Sequence, residues 1–463
     1  MQLARKVERI YKKLTYNKIF LFWVPLALTW LMMAVEQPFL IAIIARLEEP
    51  KFNLAAFGIA YSFALIIEAP VIMLMSASTA LVKDKQAYLK LRRFSDFLNL
   101  GVSLVLILIL IPPVFNLIVR DMMGVPENVA RLTYFSLIIL LPWAASIGYR
   151  RFYQGILIRN NLTRRVTHGT IVRLSAMGVI ALILYKFGIP GAYVGAAAGS
   201  LGVICEAIAI RLMANKTVLS ILAEPDPVPD LQTAPENNPG QVDKPEPPLT
   251  FRSISKFYTP LALTSILSLG VHPFVTFFLV KSYMAIESLA VLPVISSLVF
   301  IFRSMGLSYQ EVNIALIGDR KENYRKLRNF AIMLGAGVTA ALLLIAFTPL
   351  AGIWFRKVSG LTQELTDLSF TPLKILVLLP ALSVLLSFQR STLVVAKNTR
   401  PISTATAIEL LTIIVVLLIT IVCMNLIGVI AAALAFMIGK AAANLFLTPR
   451  QIKASHSWTH TKN

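Results

Sequence analysis

Charge is scarce in this chain of 463 residues: only 14% are Asp, Glu, Lys or Arg, where ordinary globular domains carry about a quarter. A core of this length in water needs a charged coat, so the shortage excludes a conventional soluble domain. Cysteine is nearly absent. Cys205 and Cys423 both lie in apolar stretches, which excludes a disulfide framework and a thiolate metal site. No GxxxxGK[ST], no HExxH and no Cys/His cluster occurs, and no soluble stretch carries a Ser-His-Asp spacing. These gaps argue against ATP hydrolysis by a P-loop, against metal chemistry and against an enzyme in general. Acids are rarer than bases, 23 against 44, giving a net charge of +21. In a soluble protein that imbalance would suggest nucleic acid. Here no nucleic-acid partner is expected, because cytoplasmic loops of membrane proteins collect Lys and Arg.

What the chain has in abundance is apolar sequence, 57% of all residues. Runs of the ~20 residues that cross a bilayer as a helix recur along its whole length. Twelve are expected, near 18–46, 53–82, 94–119, 130–158, 168–187 and 190–213, then 255–281, 287–317, 326–354, 370–396, 402–424 and 426–448. The fold class expected is therefore an all-α polytopic membrane protein. Basic clusters precede the first run and recur at 83–93 ("KDKQAYLKLRR"), around 150–165, at 319–328 ("DRKENYRKLR") and at 397–400, with Arg450 and Lys453 beyond the last. Every second loop is basic, which the positive-inside rule predicts for twelve spans with both termini cytoplasmic. The basic opening, "MQLARKVERIYKKLTYNK", is too long and polar to start a cleaved signal peptide. A stretch with eight prolines, "AEPDPVPDLQTAPENNPGQVDKPEPP", cannot build a packed core and reads as a flexible linker. The expected organisation is a basic segment 1–17, a six-helix bundle 18–213, a linker 214–253, a second six-helix bundle 254–448 and a tail 449–463.

The two bundles read as copies. "FWVPLALT" (Phe22 to Thr29) returns as "FYTPLALT" (Phe257 to Thr264), and Pro25 maps onto Pro260 (260 − 25 = 235). The same offset takes Pro38-Phe39 onto Pro273-Phe274 and Leu54-Ala55 onto Leu289-Ala290. One residue further out of phase, "YLKLRRF" (Tyr88 to Phe94) matches "YRKLRNF" (Tyr324 to Phe330). "LLP" at 140–142 then pairs with "LLP" at 378–380, and Gly191 with Gly428. Six spans separate the copies, so they share one orientation and are related by an axis along the membrane normal. Two such bundles facing a central cavity suit alternating access, with a site near the midplane.

Several stretches carry a resemblance. The "PLAL" starts, the six-span repeats, "GILIRN" (155–160) and "GIPGAYVGAAAGSLG" (188–202) resemble the multidrug/oligosaccharidyl-lipid/polysaccharide (MOP) flippase superfamily, with its MATE-like fold. Glu36-Gln37, "GIAYSFALIIEAP" (58–70) and the "PLAL…HPFV" pattern of the seventh span resemble, within it, the progressive ankylosis family. The resemblance implies an exporter with two V-shaped bundles. Progressive ankylosis proteins are associated with export of citrate, pyrophosphate and nucleotides, the MATE group with organic cations exchanged for Na+ or H+, and a third class with lipid-linked sugars.

Charged and polar side chains inside spans are costly and mark function by default. Glu36 and Gln37 in the first span are candidates for ion coupling or substrate contact, with Pro38 bending the helix beside them and Pro273 doing so in the copy. Glu68 and Arg303 occupy equivalent repeat positions (303 − 68 = 235) and are candidates to face each other across the cavity. His272 stands where the first half has Gln37. Gln154 and Arg390 complete the cavity candidates, while Glu409 and Lys440 are expected to pair with each other. The expected activity is secondary transport of a small organic or phosphate-type anion out of the cell, across a plasma or bacterial inner membrane. No catalytic residue, metal or cofactor is expected; Na+ or H+ is the candidate coupling ion, and a monomer in the lipid bilayer the expected form. The alternatives are a Na+- or H+-coupled multidrug efflux antiporter and a flippase for lipid-linked saccharides.

Overall fold

The computed structural model describes residues 14–160, 162–223, 249–317, 321, 323–396 and 398–459. Among these, the chain is helical throughout, and its one β feature is an isolated bridge between Tyr283 and Ile427. Lipid offers no hydrogen-bond partner to a backbone, so apolar runs of this length satisfy their own amides as helices. Twelve helices are long and apolar enough to cross a membrane. They are α1 (Tyr16–Ile44), α2 (Pro50–Glu68), α3 (Lys85–Leu110), α4 (Glu127–Arg159), α5 (Thr163–Lys186) and α6 (Gly191–Ala223) in the first half. The second half has α7 (Phe251–Val280), α8 (Ala285–Leu316), α9 (Tyr324–Phe347), α10 (Gln363–Val395), α11 (Arg400–Cys423) and α12 (Gly428–His456). The protein is thus an integral multi-pass membrane protein with the expected all-α class. Several boundaries differ from the sequence reading: the third helix, Lys85–Leu110, begins and ends nine residues before the expected 94–119, and the ninth stops at Phe347, seven residues before the expected 354. The second helix ends at Glu68, and a separate short helix, Leu74–Leu81, completes the apolar run. The sixth continues helical to Ala223, ten residues into the stretch read as linker, and 224–248 lie outside the described residues.

The duplication is visible in where helices break. The first part of α4 ends at Ile139 and the second begins at Trp143, across "LLP"; α10 passes through a short 3-10 turn, Leu376–Leu378, at the matching motif. Each motif ends in a proline, Pro142 or Pro380, whose missing N–H removes one helical bond. The two proline-bearing first helices differ. In α1 the helix runs on through Pro25 and Pro38, whereas α7 is interrupted at Gly270, three residues before Pro273.

Helices α1 and α7 each belong to both bundles. The far part of α1 packs in the first bundle, with Ile44 against Gly191 of α6. Its opening part lies in the other bundle, where Leu14, Ile19, Trp23 and Ala27 join a core with Tyr309, Phe330, Val384 and Phe388. The Trp23 indole N–H donates to Ser308 Oγ at 2.9 Å and to the Met305 carbonyl at 3.3 Å, and the ring meets Phe330 at 6.2 Å. Tyr258, at the repeat position of Trp23, makes the mirror contact: its hydroxyl donates to the carbonyl of Pro70, the repeat position of Met305, and its ring meets Phe94 at 5.2 Å. Phe94 corresponds to Phe330. The opening arms of α1 and α7 are therefore exchanged between the bundles, each clasped by an aromatic donor.

The bundles meet on the axis where α2 crosses α8. Gly58 there faces Pro293, its own repeat equivalent, so closely that a Cβ added to the glycine would lie 3.1 Å from the proline ring. At the end of the bundle away from residue 14, here termed the far end, ionic contacts tie the halves. Lys51 forms an ion pair with Glu287 and lies 3.6 Å from Glu364. Arg46 donates to the carbonyls of Lys357 at 2.6 Å and Val358 at 3.0 Å.

Candidate functional site

Each bundle buries its own polar network. In the first, glycine makes room for it: Gly202 of α6 sits against the Arg173 carbonyl of α5, so close that an added Cβ would lie 3.2 Å from that oxygen. This approach places Arg173 beside Glu206. Arg150 and Gln154 of α4, spaced i and i+4 on one helical face, reach the same carboxylate. Glu206 accepts from Arg150, from Gln154 Nε2 at 3.1 Å, and pairs with Arg173 Nε at 3.4 Å. It is fully buried. Arg173 also holds Glu36 of α1, Nη2 to Oε2 at 2.8 Å. Glu68 of α2 accepts from the Trp143 indole at 2.6 Å. Gln37 lies within hydrogen-bonding reach of Tyr61, whose ring is also near Glu36 and Glu68. Arg151 approaches Met75 Sδ at 3.6 Å and lies within electrostatic reach of Glu68. Three carboxylates thus meet three guanidinium groups, and the network is balanced in charge.

The second bundle is not balanced. Lys440 of α12 pairs with Glu409 of α11. Arg303 of α8 donates from Nε to Ser383 Oγ at 3.1 Å, and Arg390 of α10 donates from Nη2 to Thr406 Oγ1 at 3.1 Å. Among the described residues neither arginine makes an ion pair of its own. Both lie within electrostatic reach of Glu409, as Lys440 does, so three cations share one carboxylate. His272 is near Arg303 and is exposed. Gln389, next to Arg390, points the other way, to the Asn444 carbonyl at 3.2 Å and Thr448 at 3.0 Å.

The residues singled out from the sequence fall into these two groups and not into one cluster. Glu36, Gln37, Glu68 and Gln154 belong to the first network, His272, Arg303 and Arg390 to the second. Glu68 and Arg303 do not pair: each is held inside its own half, by Trp143 and by Ser383. Pro38 sits within continuous helix beside Glu36 and leaves the Ala34 carbonyl without its usual helical donor. Glu206 and Arg173, at the centre of the first network, are polar residues within spans to which the sequence assigns no role. Their signal was present, since both are charged residues within apolar spans. Beside Glu36, a cavity of about 410 Å³ opens between α1 and α5, lined by Leu28, Met32, Val35, Phe39 and Leu174. Among the described residues no His/Cys/Asp/Glu group has the arrangement of a metal site.

No family model and no curated protein matches the chain. Solved structures do match in fold. An inward-facing multidrug resistance MATE family transporter of the MOP superfamily superposes with a TM-score of 0.70 at 15% identity, over 94% of this chain and 96% of that one. The lipid II flippase MurJ, in an inward closed conformation, gives 0.68 at 16% identity, over 92% and 87%. A MOP superfamily transporter from Pyrococcus furiosus, described as having a binding pocket of reverse polarity, gives 0.63 at 16% identity, over 94% and 96%. The likeness establishes a MATE-like fold for this chain, shared by transporters and a flippase.

Proposed function

We propose that the protein is a secondary active transporter that works by alternating access and exports a small anion of the carboxylate or phosphate class. The observation that carries this reading is the charge imbalance of the second bundle. Arg303, Arg390 and Lys440 against Glu409 leave two positive charges in excess, in a setting where an unpaired charge is expensive and is retained for use. A bound anion would supply the missing counter-charge. The resemblance to progressive ankylosis proteins favours the same chemistry, with citrate, pyrophosphate and nucleotides as candidate cargo. The solved Pyrococcus relative described as reversed in pocket polarity is a precedent for a change of charge on this fold. The basic loops favour a cytoplasmic side for the start of α1 and the end of α12, so the Lys51–Glu287 clamp would close the outer face. Export would then require that clamp and the Arg46 contacts to part while the bundles rock about the α2–α8 crossing. Glu36 is the candidate coupling carboxylate for Na+ or H+.

A second reading is efflux of an organic cation, favoured by the apolar groove beside Glu36. Proteoliposomes loaded with labelled citrate or pyrophosphate, compared with a cationic dye, separate the two. Anion transport that disappears in Arg303→Ala supports the first. Dye transport driven by Na+ or H+ and lost in Glu36→Gln refutes it in favour of the second.

A further inference from the structure

The single acid of the second network occupies an unusual place. Glu409 holds Lys440 in an ion pair, and Thr406, one turn earlier on the same face of α11, holds Arg390. Arg303 lies within electrostatic reach of the same carboxylate while its Nε donates to a serine hydroxyl. Arg390 Nε has no partner in its buried position. Glu409 is therefore the focus of three cations, two of which are anchored only by neutral hydroxyl groups. Its side chain is largely buried, with 14% of its surface exposed.

We propose that Glu409 is a tethered counter-anion that stands in for the cargo, and that cargo binds by ion-pair exchange. Resting on the anion reading above, this narrows the cargo to small molecules with at least two negative charges, carried on carboxylates or on phosphates. An incoming carboxylate or phosphoryl oxygen takes Lys440 from Glu409 and gains the free edges of Arg303 and Arg390. With Glu409 still present, the cations exceed the acid by two, which a dianion neutralises and a monoanion does not. In the empty state the tethered carboxylate satisfies Lys440, so the site does not carry three uncompensated charges. Occupancy and release then differ by a swap of partners at Lys440, and the two excess cations are neutralised only while cargo is bound.

The test is calorimetric titration of citrate and of pyrophosphate into the full-length protein in lipid nanodiscs. The wild type is expected to bind one of them, and which one decides between carboxylate and phosphate cargo. Lys440→Gln and Arg390→Gln are expected to weaken binding. Glu409→Gln, which removes the competitor, is expected to tighten it by about tenfold, with Glu409→Asp between Gln and wild type. Glu409→Gln without ligand should also melt earlier than wild type and recover when anion saturates it. Binding by Glu409→Gln and Glu409→Asp that is equal to or weaker than wild type overturns the exchange, while loss of binding in Arg303→Gln leaves the anion reading standing. A wild type that binds neither anion overturns both.

Discussion

Glu206 is fully buried and is shared by Arg150, Arg173 and Gln154, so neutralising it tests whether the first network is assembled as described. Glu206→Gln keeps the size and one carbonyl acceptor but removes the charge. Arg173 would keep Glu36 at 2.8 Å, whereas Arg150 would be left with no carboxylate partner among the described residues. Stranding one member of a buried pair costs about 3–5 kcal/mol. Glu36→Gln is milder, because Arg173 retains Glu206 and Arg150 keeps its direct contact with Glu206; the loss resembles a hydrogen bond to a charged group, about 1.5–3 kcal/mol. For a cooperative unit the size of one bundle, ~2–4 °C are lost per kcal/mol, so Glu206→Gln should melt roughly 10 °C lower and Glu36→Gln about half as much. The assay is thermal unfolding in one detergent at one scan rate, followed by tryptophan fluorescence, since unfolding of such proteins is often irreversible. Adding Arg150→Met to Glu206→Gln removes the stranded cation and should restore at least half of the loss. A Glu36→Gln protein as unstable as Glu206→Gln, or a double variant with no recovery, would refute the arrangement.

Gly155→Ala should sharply lower the yield of folded protein in size-exclusion chromatography, because its methyl group would overlap both Ser78 Oγ and the Met75 carbonyl oxygen; Gly101→Ala, with open space around it, is the silent control. Lys51→Glu should loosen the far end, seen as faster thiol labelling of an Ile286→Cys reporter, and adding Glu287→Lys should slow it again. Trp23→Phe removes the indole N–H shared by Ser308 and Met305, Tyr258→Phe the hydroxyl donor to Pro70; each loss is worth about 1 kcal/mol, and the two should lower the melting temperature by similar amounts. A large effect from one and none from the other would break the equivalence of the two arms.

The spans and their duplication were legible because both are one-dimensional signals. Apolar runs fix helix length, and repeated motifs such as Pro25 and Pro260 survive as matched positions even when partners change. The contacts that place Trp23 on Met305 and Tyr258 on Pro70 follow the same offset, so the repeat predicted pairs of contacts without predicting what they are. Pairing was not legible. Glu68 and Arg303 occupy equivalent positions, yet equivalence under a two-fold axis places residues at matched sites, not necessarily in contact. Contact needs closeness to the axis, as Gly58 and Pro293 have. Glu206 was passed over because nothing linear in the chain says that α4, α5 and α6 converge on it. The glycines that permit that convergence, such as Gly202, read in sequence only as small apolar residues.

The exchanged opening arms carry one more consequence. Between two separate copies of a six-helix unit, such an exchange would be a domain swap, and each copy would be incomplete without the other. A single bundle expressed alone would lack the arm that fills its core and would present its own arm with no groove to receive it. Joining the copies end to end makes the swap intramolecular and independent of concentration. Each bundle is then strapped to the other at its edge, and a rotation of either one is transmitted through the partner's own first helix.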